Sequence, residues 1–341
     1  MKRYAKAEAI ATMNERSQRQ EPFVFFIDFD LSQVIIETPK TDGVYYDFDG
    51  FSHYPEGIDL PEEIYFDKYP ISCHDYRIGF DKIIRGLRRG DSYLANLTFP
   101  TLVKTNMTMH HIFEHSEALY KGYIPNEFVF YSPERFLDIA DGIVSTYPMK
   151  GTIDARIIDA MSKVLNDPKE KAEHATIVDL LRNDLSQFSN KVSVSKYRYI
   201  DRIKSRDKDL LQVSSEIIGE VKEELRDKIG TVLFAALPAG SVTGAPKKKT
   251  IEMIRDAEIT DRKYYTGVCG YYDGANLRSG VMIRMIQMDE SGEMYYHSGG
   301  GITHQSDPKS EYQEMIDKIY VPITRNDQSP RRSDRQHSLS Q

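Results

Sequence analysis

Apolar and polar positions along the chain change period several times, and each change marks an element. Ala9, Ile10 and Met13 form a weak helical stripe closed by Pro22, after which Phe23 to Phe29 reads as a strand. Segments 43–50 and 63–69 are short, aromatic and separated by Gly, Pro and Asp, as in an antiparallel meander. Ile78, Ile83, Ile84 and Leu87 recur at helical spacing over 75–90, with Gly90 where a helix ends. Segment 92–99 predicts a strand, 109–120 a helix, and 127–131 with 136–140 a strand pair. Helical patterns follow over 154–165 and 169–188, a β-rich stretch over 192–203, and helices over 210–221, 229–237 and 246–256. Segments 264–272, 277–288 and 293–297 read as three consecutive strands, too close together for helical crossovers, and 308–320 as a last helix. The tail 325–341 is Arg, Ser, Gln and Asp with almost nothing apolar, which predicts disorder.

Composition narrows the class. A chain of 341 residues with 40% hydrophobic content can bury a real core, on the order of three quarters of its unfolded surface. A net charge of -7 and a pI near 5.8 argue against nucleic acid as a partner, despite the Lys247-Lys248-Lys249 run. Two cysteines, Cys73 and Cys269, with no CxxC pair indicate neither a disulfide framework nor a structural zinc site. No apolar run reaches the roughly 18 residues of a membrane span, and the first twenty residues lack the apolar core of a signal peptide. The expectation is a soluble cytoplasmic protein without a membrane partner.

Three features carry candidate chemistry. In Ser145 to Thr152, Pro148 and Gly151 set Lys150 in a defined corner after a β-like run from Gly142 to Tyr147. Such a lysine is either a solvated turn residue or an aimed amine; an unperturbed one has a pKa of about 10.4 and is nearly always protonated. Second, Asp167-Pro168 and Asp307-Pro308 each read as an N-cap and first helical residue, followed by glutamates three apart, Glu170 with Glu173 and Glu311 with Glu314. Either pair alone reads as acids favoured by a helix N-terminus; on two facing helices, the four describe an oxygen-only Mg²⁺ site. Third come anion cradles. The Gly240 to Lys247 loop fails as a phosphate-binding P-loop, having Ala245 in place of the second glycine and Pro246 before the lysine, but it leads into a helix N-terminus. Ser298-Gly299-Gly300-Gly301 lets backbone N–H groups approach an anion, and Arg284 lies inside the apolar run Val281 to Ile286, where it either snorkels outward or binds a buried acid.

The ordered segments His174 to Asp184, Thr243 to Lys247, Tyr265 to Tyr271, the Arg284 run and Ser298 to Glu314 resemble the chorismate-utilising enzymes. That family includes anthranilate synthase component I, aminodeoxychorismate synthase component I, isochorismate synthase and salicylate synthase. The resemblance spans about residues 75–322, leaving a short β-rich part, 1–74, packed on the catalytic domain and a tail from 323 to 341. It implies an α+β sandwich of stacked antiparallel sheets covered by helices. It makes Glu170, Glu173, Glu311 and Glu314 the Mg²⁺ surroundings, with Glu173 and Glu314 as direct ligands. Thr152, Gly244, Ala245, Pro246, Lys247, Tyr265, Gly267, Arg284, Gly299, Gly300, Gly301 and Lys318 fall at substrate-binding positions for chorismate.

Within the family, Pro148-Met149-Lys150-Gly151-Thr152 resembles the Pro-Ile-Lys-Gly-Thr of aminodeoxychorismate synthases, where the lysine attacks ring C2 and ammonia then adds at C4. Anthranilate synthases, the nearest alternative, resemble one another in a small or neutral residue there. Isochorismate and salicylate synthases place a lysine base where this chain has Leu94, which cannot activate water. Gln212 stands where many relatives have a histidine that assists departure of the C4 hydroxyl; it donates a hydrogen bond but no proton. The chain shows no glutaminase nucleophile motif, so the resemblance implies a separate glutamine amidotransferase subunit. With no lyase domain evident, the product should be 4-amino-4-deoxychorismate, a precursor of 4-aminobenzoate and folate. Without a Leu-Leu-Glu-Ser segment, inhibition by tryptophan is not expected. A non-catalytic protein that keeps the fold is the reading from a different class.

Overall fold

A computed structural model describes residues 1–203 and 209–323; the expected disordered tail, 325–341, lies outside the described residues. Two antiparallel nine-stranded sheets stack face to face. The first runs, edge to edge, through Met149–Asp154, Leu210–Val221, Ile143–Thr146, Arg135–Ala140, Leu277–Val281, Val268–Tyr272, Phe23–Ile27 and Ile35–Glu37, with Ser189–Ile203 also paired to Leu210–Val221. The second runs through Gly244–Ala245, Leu94–Thr105, Met294–Ile302, Met285–Met288, Phe128–Ser132, Tyr120–Ile124, Tyr45–Phe48 and Phe51–His53, with Phe66–Tyr69 paired to Leu94–Thr105.

The apolar run Phe23–Ile27 shows why the layers form. All five residues are buried, because alternate side chains face opposite layers. Val24 and Phe26 pack between the sheets with Phe128, Phe130 and Met285. Phe23, Phe25 and Ile27 share the other core with Met13, Ile177, Leu181, Val232 and Leu233 from helices Lys6–Gln18, Pro168–Ser186 and Ile229–Ala236. Helices Cys73–Arg89, Lys247–Ala257 and Pro308–Asp317 cover the second sheet through Phe80, Ile83, Met253 and Met315, against Leu97 and Phe99. The result is a helix–sheet–sheet–helix α+β sandwich. Strands from residues 1–74 enter both sheets, Phe23–Ile27 beside Val268–Tyr272 and Tyr45–Phe48 beside Tyr120–Ile124.

Several sequence expectations are corrected. Segment 210–221 is a strand, not a helix: burial alternates from Glu216 to Val221, with Ile217, Gly219 and Val221 buried, but Val213, Ser214 and Ser215 are buried in succession, and bulges interrupt the pairing with Ser189–Ile203. The helix expected over 154–165 is confined to Ala160–Asn166, because Met149–Asp154 is a strand paired with Leu210–Val221. The 109–120 helix stops at His115, and Tyr120 already opens the next strand. The single strand expected over 277–288 is two, Leu277–Val281 in the first sheet and Met285–Met288 in the second. Arg284 therefore sits in the crossover between sheets, with φ +52°, and not within a strand.

Candidate active site

Where the two sheets and two helices meet, they enclose a cleft of about 530 Å³, within the usual range for a small-molecule site. Helices Pro168–Ser186 and Pro308–Asp317 form one wall. Asp167 caps the first by accepting from the Glu170 N–H at 2.9 Å; Asp307 caps the second by accepting from the Lys309 and Ser310 N–H groups at 3.1 and 2.9 Å. Each helix starts on a proline, as the Asp-Pro pairs predict. All four glutamates, Glu170, Glu173, Glu311 and Glu314, line the cleft.

Lys150 and Thr152 enter from the edge strand Met149–Asp154, whose pairing with Leu210–Val221 is interrupted by a bulge between Met149 and Thr152. Gly151 makes that bulge, with φ +89°, a conformation that side-chain-bearing residues rarely adopt. A Cβ there would also lie 3.2 Å from Val164 Cγ2 and 3.3 Å from Glu170 Oε2. Thr152 is paired across the strands with Gln212, so Gln212 reaches the cleft because its segment is a strand. Lys150 Nζ stands 3.9 Å from Glu173 Oε2 and makes no hydrogen bond among the described residues. Behind it, buried His174 contacts Ser215 Oγ through Nε2 at 2.7 Å, and Ser215 N–H donates to Pro148 O at 3.0 Å. Burial, helped by the Arg198 charge, lowers the His174 pKa to about 4.

Gly299, Gly300 and Gly301 run along the cleft floor on Met294–Ile302. A Cβ at Gly300 would lie 3.5 Å from Glu314 Oε1, 3.6 Å from Glu311 Oε2 and 3.7 Å from Lys318 Nζ. One residue on, a Cβ at Gly301 would lie 3.1 Å from Leu94 Cδ1 and 3.6 Å from Lys150 Nζ. The triple glycine thus leaves open the space in which Lys150 and the second acidic helix converge. Lys318 is anchored, bonded to Glu314 Oε1 at 2.7 Å and to Gly299 O at 2.9 Å.

The rest of the lining includes a cation, Arg284. The half-buried Arg284 guanidinium has no carboxylate within 4.0 Å among the described residues and lies 5.3 Å from the centre of the Tyr320 ring. Arg262 shows the contrast: it is paired with Glu258 at 2.6 Å and donates to Val242 O and Asn96 O, so it braces the wall and is unavailable to a ligand. In the same cleft lining, burial holds the Tyr265 phenol well above its ordinary pKa, keeping it a donor. Buried Ser298 Oγ and Asn96 Oδ1, from two residues that line the cleft, have no hydrogen-bond partner among the described residues.

Five sequence candidates fall outside the lining. Gly244 and Ala245 pair with Ala95 and Leu94, Pro246 leads into the Lys247–Ala257 helix, and Lys247 is tied to Asp184 Oδ2 and Ala236 O, both at 2.7 Å. Ser241 and Val242 line the cleft in their stead. Gly267 packs against the Ile27 carbonyl, where a Cβ would come within 2.0 Å.

Sequence reasoning missed Glu134, His297, Ser298 and Asn96 as cleft residues. Glu134 follows a Ser-Pro turn, and only folding turns it inward; Ser241 Oγ donates to its Oε1 at 2.5 Å. Burial raises its pKa, opposed by the Ser241 hydrogen bond and by Lys150, Arg284 and Lys318. The signal available was a lone acid between two strands, which by itself is indistinguishable from a solvated turn.

Among the described residues, no three His, Cys, Asp or Glu side chains are already gathered as a metal cluster. The four cleft glutamates offer oxygen alone, the donor type that a hard cation such as Mg²⁺ takes.

A half-buried arginine with no carboxylate within 4.0 Å among the described residues, a triple glycine and four glutamates thus line one cleft. The chain belongs to the chorismate binding enzyme family, whose profile matches residues 47–324. An uncharacterised PabA-like protein of Haemophilus influenzae is 43% identical over 318 residues, 92% of this chain and 96% of that one. The aminodeoxychorismate synthase component 1 of Klebsiella aerogenes is 34% identical over 202 residues, 55% of this chain and 42% of that one. Among solved structures, anthranilate synthase component I from Streptococcus pneumoniae aligns with a TM-score of 0.65 at 27% identity, covering 77% of this chain and 60% of that one. This is a chorismate-utilising enzyme. Among the described residues, no helix is long and apolar enough to cross a membrane.

Proposed function

We propose that the chain is the chorismate-aminating component of an aminodeoxychorismate synthase, replacing the C4 hydroxyl of chorismate by an amino group, with ammonia delivered by a separate glutamine amidotransferase. The product, 4-amino-4-deoxychorismate, would feed 4-aminobenzoate and folate synthesis in the cytoplasm. Lys150 carries this reading: its amine enters the cleft beside Gly301, held by no hydrogen bond among the described residues. The PabA-like name of the Haemophilus relative and the Klebsiella likeness support it.

In this mechanism Arg284, Tyr265 and the backbone N–H groups of Gly299 to Gly301 hold the substrate carboxylates. Glu170, Glu173, Glu311 and Glu314 would hold Mg²⁺, which when bound supplies positive charge to the ring carboxylate. The Lys150 amine attacks ring C2, the two ring double bonds shift, and the C4–O bond breaks. Glu134, whose pKa burial raises, is the acid that gives a proton to the departing hydroxyl, which leaves as water; Gln212 and Thr152 orient the ring by hydrogen bonds. Ammonia adds at C4, the double bonds shift back and the C2–N bond breaks, returning the lysine. The proton surplus on the new amine restores Glu134.

Anthranilate formation is the second reading, favoured by the Streptococcus structure. Purified protein with chorismate, Mg²⁺ and ammonium should yield 4-amino-4-deoxychorismate by mass spectrometry. Fluorescent anthranilate as the main product overturns the proposal, and no consumption of chorismate points to a non-catalytic binding protein.

A further inference from the structure

His297 lies on the cleft floor, almost fully buried, and neither the metal wall nor the amination chemistry uses it. Its ring faces that of Tyr265, with centroids 5.2 Å apart. Its strand partner is Met285, the residue after Arg284, and Gly299 follows two places along the same strand. The imidazole thus packs on the Tyr265 ring and lies in the same stretch of cleft lining as Arg284 and Gly299.

Its proton can be located by elimination. The Gln287 side chain meets two backbone groups: Nε2 lies 3.1 Å from Arg262 O, which can only accept, and Oε1 lies 3.4 Å from Tyr264 N, which can only donate. Those two contacts fix which end of the amide is NH₂. The same NH₂ points at His297 Nε2, 3.0 Å away, so Nε2 is the acceptor. A neutral ring that accepts at Nε2 carries its proton on Nδ1. Among the described residues the ring's hydrogen bond runs through Nε2 and none reaches Nδ1, which is not one of the fully sealed atoms left without a partner and so keeps access to the cleft. Burial, together with the Lys263 and Arg262 charges facing it, lowers the pKa to about 3, so the ring stays neutral at physiological pH.

We propose that His297 is a substrate-binding and specificity residue, whose Nδ1–H donates an uncharged hydrogen bond to the carboxylate held by Arg284 and Tyr265. This rests on the reading of the cleft as a chorismate site. A neutral donor adds direction where Arg284 already supplies charge: it rewards an acceptor oxygen at one position and leaves a ligand lacking that oxygen with an unpaired donor beneath it. The Gln287–Arg262–Tyr264 relay sets the tautomer from behind.

The test uses the full chain labelled with ¹⁵N-histidine, with the resonance assigned by its loss in His297→Phe. The Nδ1-protonated pattern should persist unchanged from pH 8 to pH 5, and saturating chorismate should shift the Nδ1 signal. His297→Phe should weaken chorismate binding in calorimetry by roughly ten- to a hundredfold. His297→Asn, whose amide N–H can occupy the Nδ1–H position, should recover most of the loss. A proton on Nε2, titration near the ordinary histidine pKa, or unchanged affinity in His297→Phe overturns the proposal. Failure of the wild-type chain to bind chorismate sinks the proposed function, and with it the ligand named here, whereas a wrong tautomer sinks this inference alone.

Discussion

The helices Pro168–Ser186 and Pro308–Asp317 begin alike, with Asp at the N-cap, Pro in the first turn and two cleft-facing glutamates three residues apart, yet the lysines they face are held differently. Lys318 follows its own helix and is bonded both to Glu314, one turn back, and to Gly299 O. Lys150 comes from a bulged edge strand and stands 3.9 Å from Glu173 without a hydrogen bond among the described residues. Two donor contacts make Lys318 a fixed positive charge. The looser placement of Lys150 leaves its amine room to move, and under the proposed function similar acidic helices would serve binding on one side and covalent chemistry on the other.

Substitution at the two lysines should break this contrast most sharply. Lys150→Ala should cut C4 amination by roughly a thousandfold or more while chorismate still binds, whereas Lys318→Ala should raise KM about tenfold with a smaller effect on kcat. Steady-state rates of the two variants decide it, and equal losses would erase the distinction. Glu134→Gln should lower kcat about a hundredfold. Because burial raises the Glu134 pKa, its acid form persists above the ordinary carboxylate range; activity that needs this proton falls as pH rises through the raised value, and the variant should lose that alkaline limb. Glu173→Gln and Glu314→Gln should each weaken Mg²⁺ activation by about tenfold or more, read from the metal concentration at half-maximal rate. Loss in only one would restrict the cation to one helix.

The smallest expected effect concerns the buried support behind Lys150. The His174 pKa is lowered to about 4 in the folded chain, against about 6.5 unfolded, so between those values only the unfolded state takes up the proton. Stability should therefore fall as pH drops from 6.5 toward 4, by up to about 1.4 kcal/mol per pH unit from this residue. Urea titrations at pH 7.5 and pH 5 should show a weaker acid dependence in His174→Gln.

Local signals were legible where local physics decides. Asp-Pro with acids in the first turn specified both helix starts, and Gly151 beside Lys150 specified a kinked strand edge, since capping and positive φ depend on a few adjacent residues. The 210–221 segment misled because Val213, Ser214 and Ser215 are buried in succession, two of them polar, so that the period of two shows only from Glu216 onward. The run Val281 to Ile286 misled because an apolar sequence does not say that its middle crosses between sheets. Lys247 looked like a ligand-binding cation beside a glycine loop, but Asp184, sixty-odd residues earlier in the chain, claims it.

By itself the sequence determined the elements with strong caps, the acidic character of two helix starts, the presence of one lysine in a special corner and, through ordered motifs, the family. Tertiary structure decided which charges are free. Arg262 and Arg284 are indistinguishable as residue types, and only folding pairs one with Glu258 and leaves the other half-buried in the cleft without a carboxylate among the described residues. The same holds for Glu134 and His297, whose proton states follow from burial and from neighbours distant in the chain. Desolvation and hydrogen bonding act through space, so a residue's chemistry becomes readable only when its surroundings are assembled.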